Sequence, residues 1–377
     1  MKNDKVLLVS INSIGEYTGG GIYLRTIFNG YMKNNNDVCL ICKEDSKVLD
    51  ENNNHKQIMF NKSIVSDLLS RFFLCPSFLF FYIFKIIRIS KDYDCIAFHS
   101  SRLGLISKVL KTIYPKKKII FHFDNVESHL ISQAPISLNP KGVITFIDRF
   151  LVPISEKLAI KSSNCITFIT EEDKSFFQNQ IKSKEVNILP VCVPSPNENN
   201  QSDIFNLRKN NRIKLLFTGT FSFFPNVEAL AFLLQLAKNS SKYDFIIAGK
   251  NLNKVIIHEN LPNNVYTYSN VTVDELSSLY MYSNIFISPI QSGSGMKTKL
   301  AEAMSYGLPI IAHQNSVSGY LDAIKLNIIQ TFNDNELGEE SLNKYIENAL
   351  KLTHSDIVNV YSDFYSIECG TKVIASL

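Results

Sequence analysis

The sequence of 377 residues lacks an uncharged stretch long enough to cross a bilayer. The segment that raises the question runs from Arg71 to Arg88, and its uncharged part, Phe72 to Phe84, is 13 residues long and holds Pro76. A helical span needs about 20 apolar residues. Cysteine is also scarce. The seven cysteines, at 39, 42, 75, 95, 165, 192 and 369, are odd in number and scattered. Cys39 and Cys42 form a lone C-x-x-C inside the apolar run VCLIC, which reads as strand, and no second pair or histidine cluster completes a metal site. Buried reduced thiols in a cytosolic protein are the expectation. MKNDKVLLVS opens directly on what reads as a buried strand, with no signal peptide. P-loop, nucleophile elbow, zinc pattern and strict repeat are absent, and no Ser/His/Asp set can be assembled from sequence order. No recognition motif, aromatic-basic interleaving or basic tail supports nucleic acid as a partner.

What is present is enough apolar material, 45% of residues, for full cores. The length suits two domains of about 180 residues. Residues 194–211, PSPNENNQSDIFNLRKNN, are polar with two prolines and read as a linker. On either side strands alternate with helices, as parallel α/β sheets require. The first half reads as strands at Lys5–Ser10, Asp94–His99, Lys118–Phe123 and Asn164–Thr170, with a helix from about Ile22 to Met32 and a long one over Val143–Lys161. The divisions expected are 1–193, the linker 194–211, 212–354, and a helical tail 355–377. Charge is uneven. Residues 1–193 hold 25 Lys+Arg against 18 Asp+Glu, and residues 194–377 hold 14 against 17. The basic first half suits an anionic surface. Residues 71–88, basic at Lys85 and Arg88, read as a helix, and two placements stand for it: the domain core, or an anionic membrane interface.

The second half is organised around Phe286 to His313, FISPIQSGSGMKTKLAEAMSYGLPIIAH. A short strand leads into the loop Ser292-Gly293-Ser294-Gly295. A helix follows with Leu300, Ala303 and Met304 on one face, Gly307 stops it, and a strand resumes at Ile310. Lys297 and Lys299 fall at the helix start with no acid beside them, and each opposes the helix dipole by roughly 0.3–1 kcal/mol. Glycine amides, the helix end and two lysines together read as a cradle for a phosphate. The competing reading is a Ser-capped surface helix whose lysines reach water. Glu302 either pairs with Lys299 or accepts hydrogen bonds from sugar hydroxyls.

GSGMKTKLAEAMSYGLPIIA resembles the donor-binding motif of the retaining glycosyltransferases of family 4. Leu215–Gly219 with Phe224–Leu230, and Phe245–Lys250, resemble other parts of their C-terminal domain in the right order. The resemblance is good over about residues 212–320. It implies the GT-B fold: α/β, two Rossmann-like doubly wound domains facing across a cleft. It implies that Glu302 binds the nucleotide ribose, and that Gly20 and Gly21, after the first strand, approach the donor diphosphate or the acceptor; from the residues alone those glycines equally make a plain tight turn. Two departures stand out. Ser294 occupies the place of the family's first glutamate. Thr220–Pro225 lacks the usual Arg and Lys, which leaves Lys250, Lys297 and Lys299 to hold the diphosphate. Some members have His-Asn-Val-Glu-Ser where this chain has Asp124-Asn125-Val126-Glu127-Ser128, two residues after His122. His122, Asp124 and Glu127 are therefore acceptor-side candidates, against a satisfied histidine and a capped helix start.

The function implied is retaining transfer of a sugar from a nucleotide-diphosphate sugar to a sugar hydroxyl. Lys297, Lys299, His122 and Asp124 are the catalytic candidates. Gly20, Gly21, Lys250, Gly293, Ser294, Gly295, Lys297, Lys299 and Glu302 are the donor-binding ones, with Glu127 on the acceptor side. No metal or other cofactor is expected. The basic first domain suits a polyprenyl-diphosphate-linked acceptor at the inner face of the cell membrane, in O-antigen, capsule or exopolysaccharide assembly. A nucleotide-sugar epimerase on the same fold and a non-catalytic GT-B subunit are the alternatives.

Overall fold

The computed structural model describes residues 4–16, 18–34, 36–45, 56–133, 140–196, 211–256, 261–293, 295–334 and 336–377. Ser294, most of the Asn-rich stretch 51–57 and most of 194–211 lie outside them. The chain forms two compact units, Met1–Cys192 with Ile367–Leu377, and Val193–Ser366.

In the first unit the strands are β1 (Lys5–Ser10), β2 (Asp37–Lys43), β3 (Lys56–Phe60), β4 (Cys95–His99), β5 (Lys118–Phe123), β6 (Cys165–Phe168) and β7 (Glu185–Ile188). They pair in parallel in the order β3-β2-β1-β4-β5-β6-β7. The inner strands are buried along nearly their whole length, which is why they read as continuous apolar runs. The helices are α1 (Gly19–Lys33), α2 (Ile64–Phe72), α3 (Ile83–Ser90), α4 (Gly104–Ile113), α5 (Glu127–Gln133), α6 (Pro140–Ser162) and α7 (Glu171–Phe176). Strand register sets one row across the carboxyl ends: Ser10 opposite His99, His99 opposite His122, His122 opposite Thr167. All four are fully buried.

Two sequence expectations need correcting here. Gly19-Gly20-Gly21 is not a loop before the helix but its first turn. Thr18 caps α1 by accepting from the Gly21 N–H at 3.3 Å. A Cβ on Gly21 would lie 2.2 Å from the Glu16 carbonyl oxygen, so only glycine lets the chain turn back this tightly. Nor is the 71–88 segment one helix. It breaks after α2, at Leu74 (φ 59°) and Pro76, then resumes as a tight turn over Phe78–Tyr82 and as α3.

The second unit has β8 (Lys214–Thr220), β9 (Asp244–Lys250), β10 (Val265–Ser269), β11 (Ile285–Ser288), β12 (Ile310–His313) and β13 (Ile329–Phe332). These too are parallel, in the order β10-β9-β8-β11-β12-β13. Its helices are α8 (Phe224–Asn239), α9 (Val273–Tyr282), α10 (Thr298–Ser305), α11 (Leu321–Lys325), α12 (Glu339–Ala349) and α13 (His354–Phe364). Leu215, Phe217, Leu233, Ile247, Ile287 and Ile311 anchor its core. The last helix, α14 (Ile367–Ala375), packs on α1, where Ile374 lies against Gly30. Strand order reverses between β1 and β4 and between β8 and β11, and in open parallel sheets ligands gather beyond the carboxyl ends at such points. Among the described residues no helix is long and apolar enough to cross a membrane.

Candidate functional site

In the second unit a cavity of about 320 Å³ opens beyond the carboxyl ends of β8 and β9. Its floor is a pair of glycines in register, Gly219 and Gly249. Gly249 has φ 147°, and a Cβ there would sit 1.8 Å from the Gly219 carbonyl oxygen, so the floor admits no side chain. Thr218, Thr220, Asn270, Val271 and Leu276 also line it, and Lys250 and Lys299 supply positive charge.

The lysine-bearing helix α10 is built as its sequence suggested. Gly293 (φ 88°) and Gly295 (φ 79°) both take left-handed backbone, the conformation that favours glycine. Ser292 Oγ donates to Glu228 Oε2 of α8 at 2.8 Å, which fixes the loop's entry. No side chain caps α10 from position 297, and its first turn holds no acid. Tyr320 does part of that work: its hydroxyl donates to the Lys297 carbonyl oxygen (2.8 Å) and accepts from the Ala301 N–H (3.2 Å).

The two lysines differ. Lys297 Nζ turns back to donate to the carbonyl oxygens of Gly293 (2.9 Å) and Gly295 (3.3 Å), and burial lowers its pKa from the ordinary lysine value. It shapes the loop. Lys299 instead lines the cavity, with Nζ 2.8 Å from Glu302 Oε2. Glu302 also accepts from the Tyr280 hydroxyl (3.1 Å), which bonds Thr218 Oγ1 (3.1 Å) at the end of β8. Tyr280 stacks on Tyr306 with ring centroids 4.8 Å apart. One Glu302 oxygen is thus held by a lysine and a tyrosine, which orients the carboxylate. In the arginine- and lysine-free turn Thr220–Pro225, Phe221 is buried, Phe223 and Phe224 are exposed, and Asn226 Nδ2 ties the turn by donating to the Thr220 carbonyl oxygen at 2.8 Å.

The first-unit candidates separate. His122 shares Nε2 with the Tyr31 hydroxyl (2.9 Å) and Nδ1 with Thr167 Oγ1 (2.8 Å). Both nitrogens are satisfied, and burial lowers the pKa to about 3, so it is the satisfied core histidine of the two alternatives. Its neighbour His99, which the sequence reading passed over, is less fully bonded. Its Nδ1 meets Ser10 Oγ (2.9 Å), but among the described residues Nε2 has no hydrogen-bond partner, and it lies 3.8 Å from Asp124 Oδ2. The only sequence signal was a histidine ending a buried strand. Asp124 Oδ1 is likewise without a partner, and burial, with Glu127 next, pushes its carboxyl up to about 8. Glu127 accepts from Arg102 Nε (2.8 Å), and Arg102 also reaches Asp148 (2.9 Å). Gly20 sits in the first turn of α1 beside the Asn12 side chain.

Residues 199–359 match the protein-family model of glycosyl transferases group 1. No curated protein matches the chain. The fold is similar to that of sucrose-phosphate synthase from Thermosynechococcus elongatus (12% identity, 99% of this chain and 98% of that one, TM-score 0.72). It is also similar to Anabaena HepE in complex with UDP-glucose (14% identity, 98% of each chain, TM-score 0.64). A third similar structure is WaaG, a glycosyltransferase involved in lipopolysaccharide biosynthesis (13% identity, 98% and 95%, TM-score 0.57). The match to group 1 glycosyltransferases thus takes in most of the second unit, and the chain as a whole has the two parallel-sheet domains of GT-B glycosyltransferases.

Proposed function

We propose that the chain moves a sugar from a nucleotide-diphosphate sugar, with retention, to a hydroxyl of a lipid-linked sugar in bacterial surface-polysaccharide assembly (O-antigen, capsule or exopolysaccharide), at the cytoplasmic face of the membrane. The observation that carries the reading is Lys299 and Glu302 held side by side at the start of α10, with Lys250 on the same cavity. A nucleotide diphosphate asks for both signs at once. Its phosphates need cations and amide donors, and its ribose diol needs a carboxylate acceptor. Breaking the sugar–phosphate bond adds negative charge to the leaving diphosphate. Lys250, Lys299 and the N-terminal end of α10 would meet that charge already in place, the arrangement that lowers a barrier most. Glu302 would orient the ribose. The scheme asks for no metal. The polysaccharide setting draws on WaaG, which is involved in lipopolysaccharide biosynthesis, and uridine is the first base to try because HepE was solved with UDP and UDP-glucose.

The test is thermal stabilisation by UDP, GDP, ADP and CMP. The expected result is that one nucleoside diphosphate raises the melting temperature and that Glu302→Ala abolishes the rise. No shift with any of the four would overturn the donor reading. Retention is read from the anomeric configuration of the product by NMR, and an inverted product would overturn that part alone.

A further inference from the structure

The helix α2 is inside out. A surface helix ordinarily buries its apolar stripe and shows its polar one to water. Here Ser66, Ser70 and Arg71 are buried, while Ile64 is 77% and Phe72 79% exposed, with Val65, Leu68 and Leu69 exposed as well. The apolar face continues past the helix end through Phe73 and Leu74. Leu74 holds left-handed backbone, φ 59°, where a branched side chain is uncommon. Phe73 meets Phe80 (ring centroids 6.0 Å apart), which joins this face to the next turn, where Phe81 and the 85% exposed Phe84 also point outward.

The segment is firmly built into the first domain. Arg71 grips Asp148 of α6 with Nε and Nη2 at 2.9 and 2.8 Å. Cys75, Phe78, Leu79, Ile83 and Ile86 are buried in the core beneath. The exposed face is therefore presented by a fixed support.

We propose that this face docks on a lipid bilayer carrying anionic headgroups. Exposed Lys62, Lys85, Arg88 and Lys91 rim the segment, and the acids beside it are Asp67, held by Arg71 and Lys62, Glu44, which accepts from Asn61, and the exposed Asp92 and Asp94. Phenylalanine and leucine within a lysine and arginine rim is the composition of a surface lying in the membrane interface, and the domain's positive excess adds long-range attraction. A second copy of this chain suits the face less well, because a two-fold contact would set each basic rim against itself. Contact lies in the plane of the membrane, since none of the described helices can span it. The inference rests on the first domain alone, and it supplies a reason for the lipid-linked acceptor proposed above.

The experiment is co-sedimentation of the full chain, without nucleotide, with phosphatidylcholine vesicles and with vesicles also containing phosphatidylglycerol, at low and high salt. The variant is Phe72→Ser with Phe84→Ser. Both residues are exposed, so its melting temperature should match wild type, and so should its shift with UDP, which tests the donor site independently. The expected result is binding to the anionic vesicles that weakens with salt and drops about tenfold in the variant. Absence of wild-type binding would overturn the proposal, and so would binding unchanged in the variant. A wild-type dimer that becomes monomeric in the variant by sedimentation velocity would assign the face to a second copy instead.

Discussion

Replacing Lys299 by alanine should separate what this residue does for the fold from what it does for a ligand. Among the described residues its one ion pair is with Glu302, at 2.8 Å, an i,i+3 contact with side chains 36% and 27% exposed. Such a pair contributes about 0.2–0.5 kcal/mol. For a domain of this size that is a melting shift of about 1–2 °C. A lysine hydrogen-bonded to a diphosphate contributes more, about 1.5–3 kcal/mol. Its loss should raise the Kd for the preferred nucleoside diphosphate roughly tenfold to a hundredfold. At a ligand concentration about a hundred times the wild-type Kd, ligand stabilisation should fall from about 2.7 to about 0.4 kcal/mol at the upper end of that range. Isothermal titration gives the first number and thermal unfolding with and without ligand the second. A Kd within threefold of wild type would refute the cradle. So would a loss of apo stability several times larger than the pair predicts, because Lys299 would then be structural.

Four other substitutions or conditions follow from the same geometry. Gly249→Ala places a Cβ 1.8 Å from the Gly219 carbonyl oxygen at φ 147°, and should cost on the order of 3 kcal/mol or more in urea unfolding. Tyr31→Phe leaves the buried His122 Nε2 without its partner and should cost about 1–3 kcal/mol while leaving nucleotide affinity unchanged, so a selective loss of affinity would return His122 to the site. Asp124→Asn should alter the pH dependence of stability: the native carboxyl, pushed up to about 8, keeps its proton where the unfolded one, near 3.8, has lost it, so native stability falls as pH rises between those values and the variant should gain on wild type from pH 5 to 9, with a constant difference as the contrary result. Sugar transfer should persist in EDTA, and a loss restored by a divalent cation would show that the diphosphate is neutralised by metal as well as by lysine.

The parts of the site legible in the sequence were those carried by one continuous stretch. The glycine loop, α10 and β12 depend on residues within about one helix length of each other, so Gly293, Lys299 and Glu302 could be placed on a turn and a helix start from local rules. Groups that arrive from other elements could not be placed. Tyr280 and Tyr320 reach α10 from α9 and from the turn before α11, and nothing local marks either. His99 became visible only through strand register, which aligns it with Ser10 on one side and His122 on the other. The reading of Lys297 shows a subtler limit: the sequence gives a charge at a helix start, but not that its ammonium would turn back onto its own loop. For residues 71–88 the sequence left core and membrane interface both open, since an apolar stripe looks the same whether it faces the core or the solvent.

Register also decides which polar groups at this end of the first domain's sheet keep hydrogen-bonding capacity. Ser10, His99, His122 and Thr167 form one buried row, and each of its hydrogen bonds uses up a nitrogen or a hydroxyl. His122 lies inside the row and is consumed from both sides, by Thr167 and by Tyr31. His99 gives one nitrogen to Ser10 and keeps the other, beside an aspartate that keeps an oxygen. Burial pushes the two pKa values in opposite directions, to about 3 for His99 and about 8 for Asp124, so at neutral pH a largely neutral imidazole faces a largely neutral carboxylic acid 3.8 Å away. Such a pair costs far less to bury than two charges, yet each member still has hydrogen-bonding capacity unspent. Both unspent atoms are buried, so the pair lies beneath the carboxyl end of this sheet, and of the two residues the sequence had named only Asp124.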